Sequence, residues 1–362
     1  MTTMAIDNKD KKVLNVPHLR FPEFSGEWEN TELQYIAPNI CSGKDKPTSN
    51  GTVALYGSTG IIGMTRLASY NEEIVLVARV GANAGQLQIT TIPCGVTDNT
   101  LIINAKEWNR YIYYYLQHYN LNRLVFGSGQ PLITGSMLKK LKIIYGEESE
   151  RNKIVNLLCL LDERIATQNK IIEDLKKLKS AITDLLFHSI ADAHTIRLGE
   201  IAHITNGAGD VQDANTEHQE DWYPFFDRSE ELKWFPTYSF DKEAVIYAGE
   251  GQSFYPRYYN GKFALHQRCY AITDFASCII PKYCYHFMNT LNSYFVRNSV
   301  GSTVPSLRMD IFQKVEIRLP PIPKQQHICK IIDAFYTKLE VEQRGISILQ
   351  ELKQFLLSQM FI

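Results

Sequence analysis

The chain carries one long stretch of sequence twice, 174 residues apart and without a gap. Gly127–Phe187 aligns with Gly301–Phe361. Within it Gly127-Ser128 matches Gly301-Ser302, Pro131 matches Pro305, Lys140 matches Lys314, Ile143 matches Ile317, Leu178-Lys179 matches Leu352-Lys353 and Phe187 matches Phe361. Two large copies require two similar globular units, where many short ones would make a solenoid. Two similar units can offer two similar surfaces to one long partner.

Each copy ends in a helix with an uninterrupted 4-3 apolar step. The first runs through Ile154, Leu158, Leu161, Ile165, Gln168, Ile172, Leu175, Lys179, Ile182 and Leu186. The second runs through Ile328, Ile332, Phe335, Leu339, Glu342, Ile346, Leu349, Lys353, Leu356 and Met360. A 3.5-residue period is a coiled-coil seam. Ser149 suits a helix cap and Pro323 a first-turn position. Polar residues interrupt both seams at matched places, Gln168 with Glu342 and Lys179 with Lys353. If the helices pair antiparallel about a two-fold axis, one register sets Lys179 against Glu342 and Gln168 against Lys353. The alternative is that these long side chains reach solvent from a loose seam.

A β-rich half precedes each helix. Ile74–Val80 and Thr100–Ile103 read as strands in the first copy, Ala244–Ala248 and Cys269–Ile272 in the second, with glycines bracketing them. A helix is expected over Trp108–Asn122 and its counterpart over Pro281–Asn298. The expected organisation is α+β: a domain at Met1–Glu148, a helix at Ser149–Ile190, a second domain at Ala191–Ile322 and a second helix at Pro323–Ile362.

At 362 residues, with 44% hydrophobic and 21% charged residues, the chain can support two cores. No apolar run of about 18 residues occurs, and Met1–Lys12 is too polar for a signal peptide. Seven cysteines without a Cys-x-x-Cys pair read as reduced thiols of a cytoplasmic protein with no metal framework. The net charge is −1, whereas proteins that coat DNA are strongly basic. A nucleic-acid role therefore needs a local basic face, balanced by acids such as Glu147-Glu148-Glu150, Asp162-Glu163 and Glu217–Asp221.

Catalytic motifs are missing. There is no Walker loop, His-Glu-x-x-His or Gly-x-Ser-x-Gly. The one Pro-Pro, Leu319-Pro320-Pro321-Ile322, reads as a stiff turn and not as the Asn-Pro-Pro-Tyr of a base methyltransferase. Cys284 and His286 lack further metal ligands. The chain reads as a binder. Two glycine-rich loops, Tyr56–Gly63 and Arg79–Gly85, bring polar donors close to main chain, as a groove-reading surface needs. Gly249–Ser253, Arg257 and His266-Gln267-Arg268 hold the corresponding places in the second copy. Simple turns between strands are the alternative. The candidate DNA contacts are Ser58, Thr59, Arg79, Asn83, Ser128 and Gln130, then Gln252, Arg257, His266, Gln267, Arg268, Ser302, Thr303 and Arg308. Tyr111, Tyr113, Tyr114 and Tyr115 could stack on bases. Their helical spacing, repeated at Tyr283, Tyr285 and Phe287, favours core packing.

Val16-Pro17-His18-Leu19-Arg20-Phe21-Pro22-Glu23-Phe24 with Trp28, Tyr56–Gly63, Arg79–Asn83, Ala264–Tyr270 and Pro320–Gln326 together resemble the DNA-specificity (S) subunits of type I restriction-modification systems. The resemblance covers nearly the whole chain. The near-neutral charge and the entry Glu147-Glu148-Ser149-Glu150, which lacks the Pro-rich form found at Pro320, depart from the pattern. The resemblance implies two target-recognition domains, each reading half of a split site on double-stranded DNA. It also implies that the two long helices pack as an antiparallel coiled coil, which sets the spacing and docks two modification subunits. Catalysis would then lie in partners: S-adenosylmethionine-dependent adenine methylation in the modification subunits, and ATP- and Mg-dependent cleavage with the restriction subunits. This chain would hold no cofactor. Two rivals are an enzyme acting on nucleic acid itself and a coiled-coil scaffold that binds only protein.

Overall fold

The computed structural model describes residues 15–125, 131–188, 192–301 and 303–362. The chain packs into two units, Met1–Asn169 with Arg344–Ile362, and Lys170–Gln343. The division passes through both long helices, Glu148–His188 and Ile322–Met360, and not at their ends.

In the first unit a four-stranded sheet has the order Cys41–Ser42, Thr100–Ile103, Val75–Ala78, Leu87–Ile89. Beside it stands a three-stranded sheet, Gly60–Thr65, Val53–Gly57, Cys94–Val96, whose last pair is parallel. In the second unit the corresponding strands form a single six-stranded sheet. Its order is His203–Asn206, Cys269–Thr273, Phe240–Ala248, Arg257–Leu265, Tyr223–Phe226, Lys233–Phe235. The difference lies in one strand. Arg257–Leu265 is continuous and pairs parallel with Tyr223–Phe226. Its counterpart is broken into Leu87–Ile89 and Cys94–Val96 by Thr90–Pro93, and Pro93 has no N–H to give a ladder.

The central strands are buried on both faces because successive side chains point to opposite sides. Val75 and Val77 join the core beneath the Asn109–Tyr119 helix, while Ile74 and Leu76 pack with Tyr56, Cys94 and Val96. Val245 and Tyr247 against Ala244 and Ile246 repeat the pattern. The tyrosine stripe belongs to this core. Tyr111, Tyr114 and Tyr115 are buried, and their hydroxyls donate to Ile144 O (2.8 Å), Asp162 Oδ2 (2.9 Å) and Lys142 O (3.0 Å). The helix expected over Pro281–Asn298 is two, Pro281–Met288 and Asn292–Asn298. At the break Thr290 Oγ1 donates to Phe287 O (2.7 Å), and Asn289 Nδ2 donates to the hydroxyl of Tyr336 on the second long helix (3.0 Å).

Within each unit the two long helices run antiparallel, and every residue of both seams is buried or half-buried. Phe361 packs on Tyr111 and Tyr115 in the first unit, as Phe187 packs on Tyr283 and Phe287 in the second. The register expected from the polar positions is not the one observed. Lys353 pairs with Asp162 at 2.6 Å, not Gln168, and Lys179 Nζ lies 4.1 Å from the Tyr336 ring centre, not on Glu342. Glu342 pairs with Lys338 one turn back, and Gln168 is buried at 4% exposure. Charge matching along the seam predicted partners about six residues away from the true ones. An ammonium over an aromatic face, with its stem packed in the seam, needs no opposing carboxylate.

Candidate nucleic-acid interface

Main-chain hydrogen bonds gather loops at one edge of each unit, and the same bonds occur in both. In the second unit Gly249 N donates to Arg268 O (2.9 Å), Gly251 N to Pro305 O (3.0 Å), Leu307 N to Gly249 O (2.7 Å) and His266 N to Phe226 O (2.9 Å). In the first, Arg79 N donates to Asn99 O (3.1 Å), Gly81 N to Pro131 O (3.0 Å), Ile133 N to Arg79 O (2.9 Å) and Thr97 N to Tyr56 O (3.0 Å). The frame fixes which residues correspond. Arg79 matches Gly249, Thr97-Asp98-Asn99 match His266-Gln267-Arg268, and Ser58, two residues past Tyr56, matches Arg228. The prolines aligned in the sequence, Pro131 and Pro305, are the same acceptor in each frame.

The second unit brings most of its expected contact residues together. Gln252, His266, Gln267, Arg268, Thr303 and Arg308 lie on these loops, and all but the half-buried His266 are exposed. Ser302 lies outside the described residues, as do Ser128 and Gln130 in the first unit. Arg257 is different. It is half-buried and its guanidinium donates to Ser229 O, so it holds a loop in place. Gln88, its sheet counterpart, does the same in the first unit, donating to Gly57 O (2.9 Å) and Ser58 O (3.1 Å).

A hollow of about 540 Å³ opens beside His266, Gln267 and Arg268. Its charged lining is largely paired internally. Arg268 meets Glu250 at 2.7 Å, and Lys233 meets Asp227 at 2.6 Å. Asp227 Oδ1 also accepts from Ser229 N (2.8 Å) and Ser229 Oγ (2.6 Å). Burial alone would raise the Asp227 carboxyl, but the bonds from Lys233 and Ser229 outweigh it and hold the group below the ordinary aspartate value. Sequence reasoning passed over Arg228, which lines the same hollow and is exposed. No glycine or motif marks it.

In the first unit Ser58 and Thr59 form the two-residue turn between paired Gly57 and Gly60. The turn needs Gly60 at φ +116°, a conformation that favours glycine. Asn83 is exposed in a short 3-10 turn. Arg79 is half-buried; its Nη1 lies 3.4 Å from Ser42 Oγ, and its buried Nε makes no hydrogen bond. Asp98 and Asn99 are exposed at the place of Gln267 and Arg268, and no motif marks them in the sequence.

The opening motif has a structural use. Glu150 is fully buried, and it accepts from Arg20 Nε (2.7 Å), Arg20 Nη2 (2.8 Å) and Trp28 Nε1 (3.0 Å). Leu19 N donates to Gln359 O (2.9 Å), so the segment is stitched to both long helices of the first unit. Cys284 and His286 are buried in the core of the second unit. Burial pushes the Cys284 thiol well up, and His286 Nε2 faces Asp333 at 2.9 Å. Among the described residues no group of three or more His, Cys, Asp or Glu could hold a metal, and no helix is long and apolar enough to cross a membrane.

Duplicated β-rich units, each closed by antiparallel stretches of the same two helices and each displaying loops on one main-chain frame, define a tandem recognition module. The profile of the type I restriction modification DNA specificity domain matches residues 12–177 and again 191–354, and the chain belongs to that family. It is 31% identical over 165 residues to the type I restriction enzyme EcoDI specificity subunit of Escherichia coli, a match covering 45% of this chain and 36% of that one. It is 22% identical to a putative type I restriction enzyme specificity subunit of Haemophilus influenzae, over 91% of this chain and 92% of that one. The fold matches the type I restriction-modification S subunit from M. genitalium with a TM-score of 0.70 at 17% identity, covering 96% of this chain and 99% of the other. A chain from a type I R-M system, solved for its complex assembly and conformational transition, matches with a TM-score of 0.58 at 15% identity, covering 95% of this chain and 99% of that one.

Proposed function

We propose that this chain chooses the DNA sequence for a type I restriction-modification complex, each unit reading one half of a split site. The observation that carries this is the repeated loop frame with different side chains on it. Ser58, Asp98 and Asn99 in one unit stand where Arg228, Gln267 and Arg268 stand in the other. Main chain fixes the position while side chains differ in charge and in hydrogen-bonding pattern, which is what two readers of different base sequences require. Methylation and cleavage are assigned to partner subunits, with their S-adenosylmethionine, ATP and Mg.

The helices support docking of those partners. Ile348, Leu352 and Phe355 are exposed on the second long helix in the first unit, and Ile171, Leu178 and Leu185 on the first long helix in the second. Exposed apolar rows of this kind mark protein contact, and Leu178 and Leu352 are the same position of the repeat. The test is the methylation pattern of DNA exposed to this chain with its modification subunits, before and after the first β-rich half, 1–148, is exchanged for that of another family member. One half of the methylated sequence should change and the other persist. Loss of all sequence preference with the complex intact would favour a scaffold.

A further inference from the structure

The geometry points to Arg228 as the residue by which the second unit reads a guanine in its half-site, an assignment that rests on the specificity role proposed above. Among the groups lining the hollow, Arg268 is tied to Glu250 and Lys233 to Asp227. The Ser229 carbonyl is tied to Arg257, and His266 Nδ1 accepts from Arg268 N at 3.2 Å. Arg228 is the cation left over. It is exposed at the rim, and its side chain makes no ion pair or hydrogen bond among the described residues.

Its backbone, by contrast, is held on both sides. Asp227 before it is buried and bonded to Ser229 and Lys233, and Ser229 after it is held by both Asp227 and Arg257. A free guanidinium between two anchored residues loses little further freedom when it binds, which is what preorganised recognition needs. Its fork of parallel donors fits O6 and N7 of guanine in the major groove. Beside it Gln267 is exposed on a loop held by Gln267 N to Gly209 O at 3.1 Å. That side chain also makes no hydrogen bond among the described residues, so neighbouring polar reach is available without a competing charge. The first unit places Ser58 at the corresponding point, which has no such fork, so the requirement for guanine at this place belongs to the second half-site alone.

A phosphate contact is the competing role for an exposed arginine, and the experiment separates the two. The full chain, assembled with its modification subunits, methylates a library of duplexes in which each position of the second half-site is randomised in turn. Wild type, Arg228→Ala and Arg228→Lys are compared. If Arg228 reads guanine, both variants lose preference at one G·C position by roughly 10- to 100-fold, the range of one bidentate base contact. All other positions and the first half-site keep theirs. Lysine does not rescue, because it carries the charge without the fork. A uniform loss of methylation across all sequences, restored by lysine, would show a phosphate contact and overturn the assignment. An unchanged preference in both variants would overturn it too. If the wild-type complex itself shows no sequence preference, the specificity role fails first and the assignment with it.

Discussion

Glu150 is the most sensitive single point of the first unit. It is fully buried, and three donors from Arg20 and Trp28 converge on its carboxylate. Removing one partner of a buried ion pair costs about 3–5 kcal/mol, because the other charge stays buried and unpaired. The Arg20 side chain keeps 17% exposure and recovers part of its hydration, so Glu150→Ala belongs near the lower end, about 3 kcal/mol. In a unit of this size each kcal/mol moves the unfolding midpoint by about 2–4 °C, giving a fall of about 6–12 °C. Calorimetry of the full chain measures it. Hydrogen exchange over residues 15–28 should show that segment released first, since Glu150 joins it to the helix. Replacing both partners, Arg20→Met with Glu150→Leu, should recover much of the loss, as apolar replacements of buried ion pairs do. A midpoint within about 1 °C of wild type for Glu150→Ala, or a double variant no better than the single, would refute the account.

Three further outcomes are expected. Lys353→Asp should cost about 1–2 kcal/mol by setting two carboxylates together, and Asp162→Lys should restore part of it, whereas Glu342→Lys should not rescue Lys179→Glu; denaturant melts of the single and double variants decide. Four residues inserted near Lys170 add about 6 Å of helix, so the unspecified spacer of the methylated site should grow by one or two base pairs, as methylation mapping reports, while both half-sites persist. Asp227, held below its unfolded value of 3.8, stabilises the second unit above that pH and loses the contribution as pH falls through the lower folded value; the stability gap between wild type and Asp227→Asn, followed by thermal melts, should be widest near neutrality and close in acid.

Much of the fold was legible because it depends on repetition and period. The helix bounds, Glu148–His188 and Ile322–Met360, fall within two residues of the expected Ser149–Ile190 and Pro323–Ile362, since ten consecutive core positions leave little freedom. The register was not legible. Lys179 answers to the Tyr336 ring and Lys353 to Asp162, and neither partner is a polar seam residue. The split of the Pro281–Asn298 helix was hidden because Asn289-Thr290-Leu291, where it falls, holds no proline or glycine. In the candidate interface, the glycine-flagged loops Arg79–Gly85 and Gly249–Ser253 lie on the shared main-chain frame. Arg228, Asp98 and Asn99 were not legible, because their places are set by the parallel pairings of Tyr223–Phe226 with Arg257–Leu265 and of Val53–Gly57 with Cys94–Val96, which leave no trace in local sequence.

The loop frame has an evolutionary consequence. Its bonds run from amide to carbonyl, so apart from the closely packed glycines and the proline carbonyls it asks little of side-chain identity. The residues at its tips, such as Ser58 and Arg228, can therefore drift or be exchanged between lineages without the fold being renegotiated each time. Under the proposed reading, a new target would arise by altering a few outward side chains on an inherited lattice of amides, with almost no brake from stability.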